Sequence, residues 1–198
     1  MSKKTASPFA HARKFVLPAC VHTAGAVWSP DGSHRYALWR VWGNPHRGSL
    51  LCVIAMNPSS ADEWYDDATV QRATGMAMRQ GYDGILVLNV WSIRGSRPAE
   101  ALYGPWEPNG PDNDAWLRFF AERGLLLLPD GLEASIGCFV LACGNRGSKD
   151  GRAVYVANML AEHRDVYCFG TTKRGLPRHP GRLAYATPLI LYQPATIL

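Results

Sequence analysis

The sequence predicts a three-layer α/β/α fold around a mostly parallel central sheet, and two observations support this prediction. Apolar runs of strand length alternate along the chain with amphipathic segments of helix length. Several of these runs are continuously apolar, as expected for strands that helices cover on both faces. Because right-handed crossovers bring all strand-to-helix loops to one edge of such a sheet, the residues after each strand form the candidate site.

The composition is that of one globular domain of ordinary size. Of the 198 residues, 47% are hydrophobic and 19% are charged, which excludes an extended disordered polymer and can support a packed core. We expect a basic tail at residues 1–14 and a single α/β domain at residues 15–198. The net charge of +5, from 21 Lys and Arg against 16 Asp and Glu, permits a nucleic-acid or phosphate partner without requiring one.

The five cysteines favour a reduced, cytoplasmic protein. Their number is odd, they form no Cys-x-x-Cys pair, and three of them lie inside apolar runs. We therefore expect no disulfide framework, no zinc or iron–sulfur site and no cofactor. The sequence also shows no signal peptide and no apolar run long enough to span a bilayer, so we expect no membrane partner.

The first two predicted strands form a hairpin. Residues 35–42 alternate in the manner of a strand, and residues 50–55 are continuously apolar. The loop at residues 43–48 contains Gly, Asn and Pro, which are typical of turns. This pattern predicts a hairpin that leads into the centre of the sheet.

The remaining elements alternate between helix and strand. A helix over residues 67–80 has Asp66 or Asp67 as its N-cap and ends at Gly81. Residues 95–111 are interpreted as a loop rich in Pro and Gly. The other predicted elements are helices from near Asp112 and over 151–162, strands at 85–90, 138–142 and 165–169, an edge element at 187–192, and core residues of unassigned structure at 125–129.

Polar residues follow the predicted parallel strands. Asn57 and Asn89 lie at strand ends, and His179 lies in the last loop. Amides can read the donor and acceptor edge of a base, and a histidine near a leaving group can stabilise developing negative charge. Cations hold phosphates. The last loop carries the cations Lys173, Arg174, Arg178 and Arg182.

Three acids lie near the predicted mouth of the site: Asp62, Asp66 and Asp67. The pair Asp66-Asp67 is interpreted as a helix cap, since carboxylates are favourable at helix N-termini. The loops contain no pair of catalytic carboxylates, no nucleophile elbow and no glycine loop of the kind that cradles phosphate.

Four segments, in this order, resemble the motifs of the uracil-DNA glycosylase superfamily. Met56-Asn57-Pro58 is similar to the first motif, and residues 85–90 are similar to the strand whose terminal Asn reads the flipped base. Residues 139–144 resemble the later apolar strand that ends in Gly, and residues 179–183 resemble the His-Pro-Ser loop before the minor-groove wedge. More closely, MNPSSAD, DDATVQR, GPDND and TKRGLPRHP resemble a bacterial and phage family of unknown function that is placed in or near this superfamily.

The resemblance implies a uracil-DNA-glycosylase-like fold and a role for each matched residue. Asn57 would position the attacking water, with Asp62 as an alternative base that activates it. Asn89 would read the base edge, and His179 would stabilise the departing base. The base would also contact Met56 and stack on either Trp64 or Tyr65. The implied DNA contacts are Ser59, Lys173, Arg174, Arg178, and Arg182 or Leu183 as the wedge.

The resemblance therefore implies a metal-independent, monofunctional DNA glycosylase. It would hydrolyse the N-glycosidic bond of a flipped uracil-like, damaged or modified base, in repair, in defence or in phage DNA modification. The last motif has Gly-Arg where the superfamily has Ser-Pro, which is compatible with a base other than uracil. Three alternatives stay open: a non-catalytic nucleic-acid or nucleotide-binding module of phage or defence systems, an enzyme of free nucleosides or nucleotides, and a structural α/β protein.

Overall fold

An eight-stranded mixed sheet forms the centre of the molecule in the computed structural model, which describes residues 14–44 and 48–193. The strands are β1 Phe15–Val16, β2 Thr23–Trp28, β3 Arg35–Val41, β4 Ser49–Ala55, β5 Tyr65–Asp66, β6 Gly84–Asn89, β7 Leu125–Leu127, β8 Glu133–Leu141, β9 Val166–Cys168 and β10 Ile190–Leu191. The helices are α1 Ala68–Arg79, α2 Pro98–Tyr103, α3 Asn113–Arg123 and α4 Arg152–Ala161, with 3-10 turns at Asn145–Gly151 and Pro180–Arg182. Strands β1 and β5 form a separate pair.

The sheet has a parallel centre and antiparallel edges. Its order is β10-β9-β8-β4-β6-β3-β2, with β7 antiparallel beside the start of β8. Strands β9, β8, β4 and β6 are parallel, while β3, β2 and β10 pair in antiparallel fashion. Helix α1 packs on one face, and α2, α3 and α4 pack on the other. The predicted α/β class is confirmed, and helices on both faces are compatible with three layers.

The predicted hairpin of residues 35–42 with residues 50–55 is wrong, because β6 lies between β3 and β4. Val87 of β6 pairs antiparallel with Leu38 and parallel with Val53. β3 pairs on its other side with β2, a strand that was not predicted from the sequence. Both β3 and β4 are buried along nearly their whole length, so each needs a neighbour on both sides.

Most of the other predicted elements are confirmed. Helix α1 begins after Asp67, whose Oδ1 accepts hydrogen bonds of 2.9 Å from the backbone N–H groups of Thr69 and Val70, so Asp67 is the N-cap. The predicted loop at residues 95–111 contains α2, and residues 125–127 form β7. Of the predicted basic tail, residues 1–13 lie outside the described residues. No helix in the described ranges is long and apolar enough to cross a membrane.

A β-bulge in β3 sets the direction of Arg35. Ala37 pairs with Val27, but Arg35 pairs with Trp28, so Tyr36 is an extra residue in β3. The bulge shifts the alternation of side chains, and Arg35 thereby reaches the α1 face, where its Nη1 donates to the carbonyl oxygen of Ala61 at 3.0 Å. Arg35 is buried, with 2% of its surface exposed.

A buried ion pair holds the segment between β4 and α1 against the sheet. Arg40 of β3 donates from Nε to Oδ1 of Asp66 at 2.9 Å, and both side chains are almost fully buried. The same guanidinium donates from Nη2 to the carbonyl oxygens of Asp62 at 2.6 Å and Tyr65 at 3.3 Å. One arginine therefore fixes the whole turn that precedes α1.

We predict that Arg40→Met destabilises the protein by roughly 3–5 kcal/mol, because Asp66 would stay buried without its partner. Urea denaturation of the two proteins measures the difference. Arg79→Met, on the exposed side of α1, is the matched control and should change stability by less than about 0.5 kcal/mol. Equal stability of Arg40→Met and wild type would contradict this role of the ion pair.

Candidate functional site

A cavity of about 210 Å³ lies at the carboxyl ends of the parallel strands β4 and β6. It is on the α1 face, because Ala55 of β4, Val87 and Asn89 of β6, and the start of α1 all contribute to its wall. Among the residues predicted for the site, those lining the cavity are Met56, Asn57, Ser59, Asn89 and His179. Asp67, which the sequence placed near the mouth of the site as a helix cap, also lines it. Sequence reasoning did not place Arg35, Thr69 and Ser96 there, although they line it as well.

Asn89 is the most deeply buried amide of the cavity. Its exposed surface is 1%, and neither Nδ2 nor Oδ1 has a hydrogen-bond partner within the described part of the chain. A buried polar group without a partner costs free energy, so such a group is rare and calls for an explanation. A ligand in the cavity would supply one acceptor and one donor to this amide.

The backbone behind Asn89 is held by the Nδ2 of a second buried amide, Asn113. Asn113 donates from Nδ2 to the carbonyl oxygens of Asn89 at 3.2 Å and Val90 at 3.3 Å. Arg152 donates from Nε to the same Val90 oxygen at 2.7 Å, and its Nη2 bonds Asp114. Asn113 and Asp114 belong to the GPDND segment, and together with Arg152 of α4 they fix the end of β6 and with it the position of Asn89.

Asn57 is oriented by two backbone carbonyls. Its Nδ2 donates to the oxygens of Pro58 and Gly95, each at 2.9 Å. The donors of the amide are thus used by the loops, and Oδ1 is left as an acceptor for a ligand or a water molecule. A backbone hydrogen bond of 2.9 Å from the N–H of Gly95 to the carbonyl oxygen of Pro58 joins the same two loops.

His179 is a neutral donor at the other side of the cavity. Burial lowers the pKa of His179, and the carboxylate of Asp67 acts in the opposite direction without cancelling this effect. The backbone N–H of Gly181 donates to Nδ1 at 3.1 Å, so Nδ1 carries a lone pair and Nε2 carries the proton. Part of the side chain is exposed to solvent and lines a second, open groove beside the cavity.

A buried cation and a carboxylate complete the cavity wall. Burial lowers the pKa of Arg35 to about 10, while the nearby carboxylate of Asp67 opposes this shift. Arg35 therefore remains charged at neutral pH, and its Nε has no hydrogen-bond partner within the described ranges. The sequence predicted Asp67 as a helix cap. In the structure, only its Oδ1 accepts the two capping hydrogen bonds.

Three other predicted residues lie outside this cavity lining. Asp62 accepts hydrogen bonds from the backbone N–H groups of Trp64 and Tyr65 and forms an ion pair with Lys14 at 2.8 Å. Burial would raise the pKa of Asp62, but these hydrogen bonds bring it below its ordinary value. Trp64 is 75% exposed, and Tyr65 belongs to β5. The structure thus gives Asp62 a role in holding a turn.

The predicted DNA contacts divide into exposed and buried residues. Arg178 and Arg182 line an open groove of about 620 Å³, which shares His179 with the cavity. Lys173 and Arg174 are exposed at the tip of the loop after β9. Leu183 also lines this groove, but it is 7% exposed and packs in the core with α1. The reason is that the chain after Arg182 turns back towards α1, whose Arg72 donates to the carbonyl oxygen of Leu183 at 3.2 Å.

The fold and the cavity define a mixed α/β protein with an amide-lined site at the carboxyl edge of its parallel strands. A family model described as a protein of unknown function (DUF1643) matches residues 35–181, and the chain belongs to this family. All residues that line the cavity fall inside the matched range. No curated protein and no solved structure matches the chain. Within the described residues, no cluster of His, Cys, Asp and Glu could hold a metal ion.

We predict that Asn89→Leu stabilises the ligand-free protein by about 1–3 kcal/mol, because it removes two buried polar atoms that lack partners. Asn113→Leu is the matched control. It should destabilise by a similar amount, because the carbonyl oxygen of Asn89 loses this side-chain donor and that of Val90 keeps only the one from Arg152. Urea denaturation measures both changes, and destabilisation by Asn89→Leu would show that this amide is partnered in the free protein.

We also predict that Asp67→Asn lowers the pKa of His179 further, because it removes the carboxylate that raises it. The neutral ring would then persist to lower pH. A titration of the imidazole signals by NMR measures this shift, with His179→Ala to assign the resonance. Asp165→Asn, at the opposite edge of the sheet, is the control, and an equal shift in both variants would contradict the prediction.

Proposed function

We propose that this protein is a monofunctional DNA glycosylase that hydrolyses the N-glycosidic bond of a base flipped into the cavity. The observation that carries the proposal is the buried, unpartnered amide of Asn89 in the same cavity as Asn57 and His179. The motif resemblance to the uracil-DNA glycosylase superfamily supports the same reading. The base is uracil-like, damaged or modified.

The Asn89 amide matches the edge of a nucleobase. A base edge presents neighbouring donor and acceptor atoms in one plane, and a planar amide presents the complementary pair. The free energy lost by burying Asn89 without partners is recovered when such an edge binds. A cavity of about 210 Å³ is smaller than the ~300–1,000 Å³ of sites for drug-sized ligands, so it suits a single base better than a whole nucleotide.

Two further residues support bond cleavage in addition to binding. Asn57 offers Oδ1 to a water molecule, because its Nδ2 is held by the carbonyl oxygens of Pro58 and Gly95. His179 offers an Nε2–H to an oxygen of the departing base, where negative charge develops as the glycosidic bond breaks. A neutral histidine donor suits this role because its geometry is fixed before the reaction by the N–H of Gly181.

The groove beside the cavity supports a DNA substrate. Arg178 and Arg182 line it together with Asn145 and Thr172, and His179 separates it from the cavity. Arginine side chains along a groove bind the phosphates of a nucleic-acid backbone. No Phe, Tyr or Trp lines the cavity among the described residues. Met56 lines it, and it also packs against the core on the face of the sheet that α2, α3 and α4 cover.

Release of free base from DNA tests the proposal. Purified protein is incubated with oligonucleotides that contain uracil, hypoxanthine, hydroxymethyluracil or phage-type modified bases, and with phage genomic DNA. Mass spectrometry detects the released base. We expect Asn57→Ala and His179→Ala to lower the rate of release at least about 100-fold.

Two exposed residues, one on α4 and one just after this helix, provide the controls. Asn158→Ala and His163→Ala repeat the same exchanges away from the cavity and should release base at the wild-type rate. Retained DNA binding without release of any base would favour the non-catalytic binding module. Release from free nucleosides alone would favour the nucleoside enzyme.

A further inference from the structure

Hydrolysis of a glycosidic bond needs a group that accepts a proton from water. The carboxamide of Asn57 is not such a group, because an amide oxygen is a very weak base. His179 is also unsuited, because its Nδ1 accepts the N–H of Gly181 and its Nε2 already carries a proton. Asp62, the alternative that the sequence suggested, is engaged by Lys14 and by two backbone N–H groups.

Asp67 is the only carboxylate among the described residues that line the cavity. It is 7% exposed. Its Oδ1 accepts both capping hydrogen bonds at 2.9 Å, which fixes the orientation of the carboxylate. Within the described ranges, no hydrogen bond reaches Oδ2, so this oxygen is available to a bound molecule.

Two independent features mark the cavity beside Asp67 as a ligand site. Asn89, at 1% exposure, presents both amide atoms without partners. Arg35, at 2% exposure, presents an unpartnered Nε, while its Nη1 is held by the carbonyl oxygen of Ala61. Arg35 and Asp67 attract each other, and this attraction raises the pKa of Arg35 against the effect of its burial.

We propose that Asp67 is the catalytic residue that accepts the proton of the attacking water in the glycosylase reaction. This inference rests on the proposed function. The C1′–N bond breaks with its electron pair going to the base, and the water oxygen forms a bond to C1′. One water proton passes to Oδ2 of Asp67 and then to the departed base, so the carboxylate is regenerated. While the sugar carries positive charge, the same carboxylate stabilises it.

The helix cap allows a sharp test of the charge. Asn is as good an N-cap as Asp, so Asp67→Asn keeps the bonds to Thr69 and Val70 and removes only the carboxylate. Asp67→Ser is the second variant, since serine caps helices as well. If Asp67 is only a helix cap, both variants should match wild type in stability and in base release. If Asp67 is catalytic, both should keep the stability of wild type and release base at least about 100-fold more slowly.

Binding of abasic-site analogues gives a readout that does not need the natural base. One DNA probe contains a pyrrolidine, which is cationic and mimics the charged sugar, and the other contains a neutral tetrahydrofuran. We expect wild type to bind the pyrrolidine probe at least about tenfold more tightly than the tetrahydrofuran probe, as one charge contact would give. Asp67→Asn should lose this preference, and Asp165→Asn, at the opposite sheet edge, should keep it.

The outcomes separate the two proposals. Base release by wild type and by Asp67→Asn at similar rates, with an unchanged preference for pyrrolidine, overturns the role of Asp67 and leaves the glycosylase intact. Failure of wild type to release any base and to prefer the pyrrolidine probe overturns both. Loss of release and of the preference in Asp67→Asn and Asp67→Ser, with unchanged thermal stability, supports the assignment of Asp67.

Discussion

The ion pair of Arg40 with Asp66 determines where the site can form. It places the guanidinium of Arg40, from strand β3, directly under the turn that precedes α1. A buried ion pair contributes little net stability, since the cost of removing both charges from water offsets their attraction. Its effect here is geometric: it fixes the turn, and the turn fixes Asp67 and the first residues of α1 against the ends of the strands.

The buried polar groups around the end of β6 and the cavity differ in their bonding. Behind β6, Asn113 and Arg152 bond the backbone carbonyls of the strand end, and they make that end rigid. In the cavity, Asn89 and the Nε of Arg35 are buried without partners in the described part of the chain. Both groups meet at the end of β6. The hydrogen bonds from Asn113 and Arg152 hold the backbone of this strand end, and they thereby fix the position of the Asn89 side chain, as preorganised sites require.

The sequence predicted the elements better than their pairing. Hydrophobic runs and the Asp67 cap are local signals, and they located β4, β6 and α1 within a residue or two. The order of strands depends on contacts between distant segments, and a strand's own pattern does not encode them; the hairpin of β3 with β4 failed for this reason. Similarly, the bulge that turns Arg35 into the cavity arises from pairing with β2, and no signal within residues 35–42 indicates it.

Three polar residues of the cavity come from separate segments but are oriented in the same manner. In Asn57, Nδ2 is bound by loop carbonyls; in His179, Nδ1 is bound by a backbone N–H; in Asp67, Oδ1 is bound by the N-terminal N–H groups of α1. Each side chain thus has one atom held by the backbone and a second atom of defined chemistry left for a ligand: an acceptor, a donor and a carboxylate oxygen. Because main-chain groups do the holding, the orientation is present before any ligand binds, and little reorganisation is needed when charge develops during a reaction.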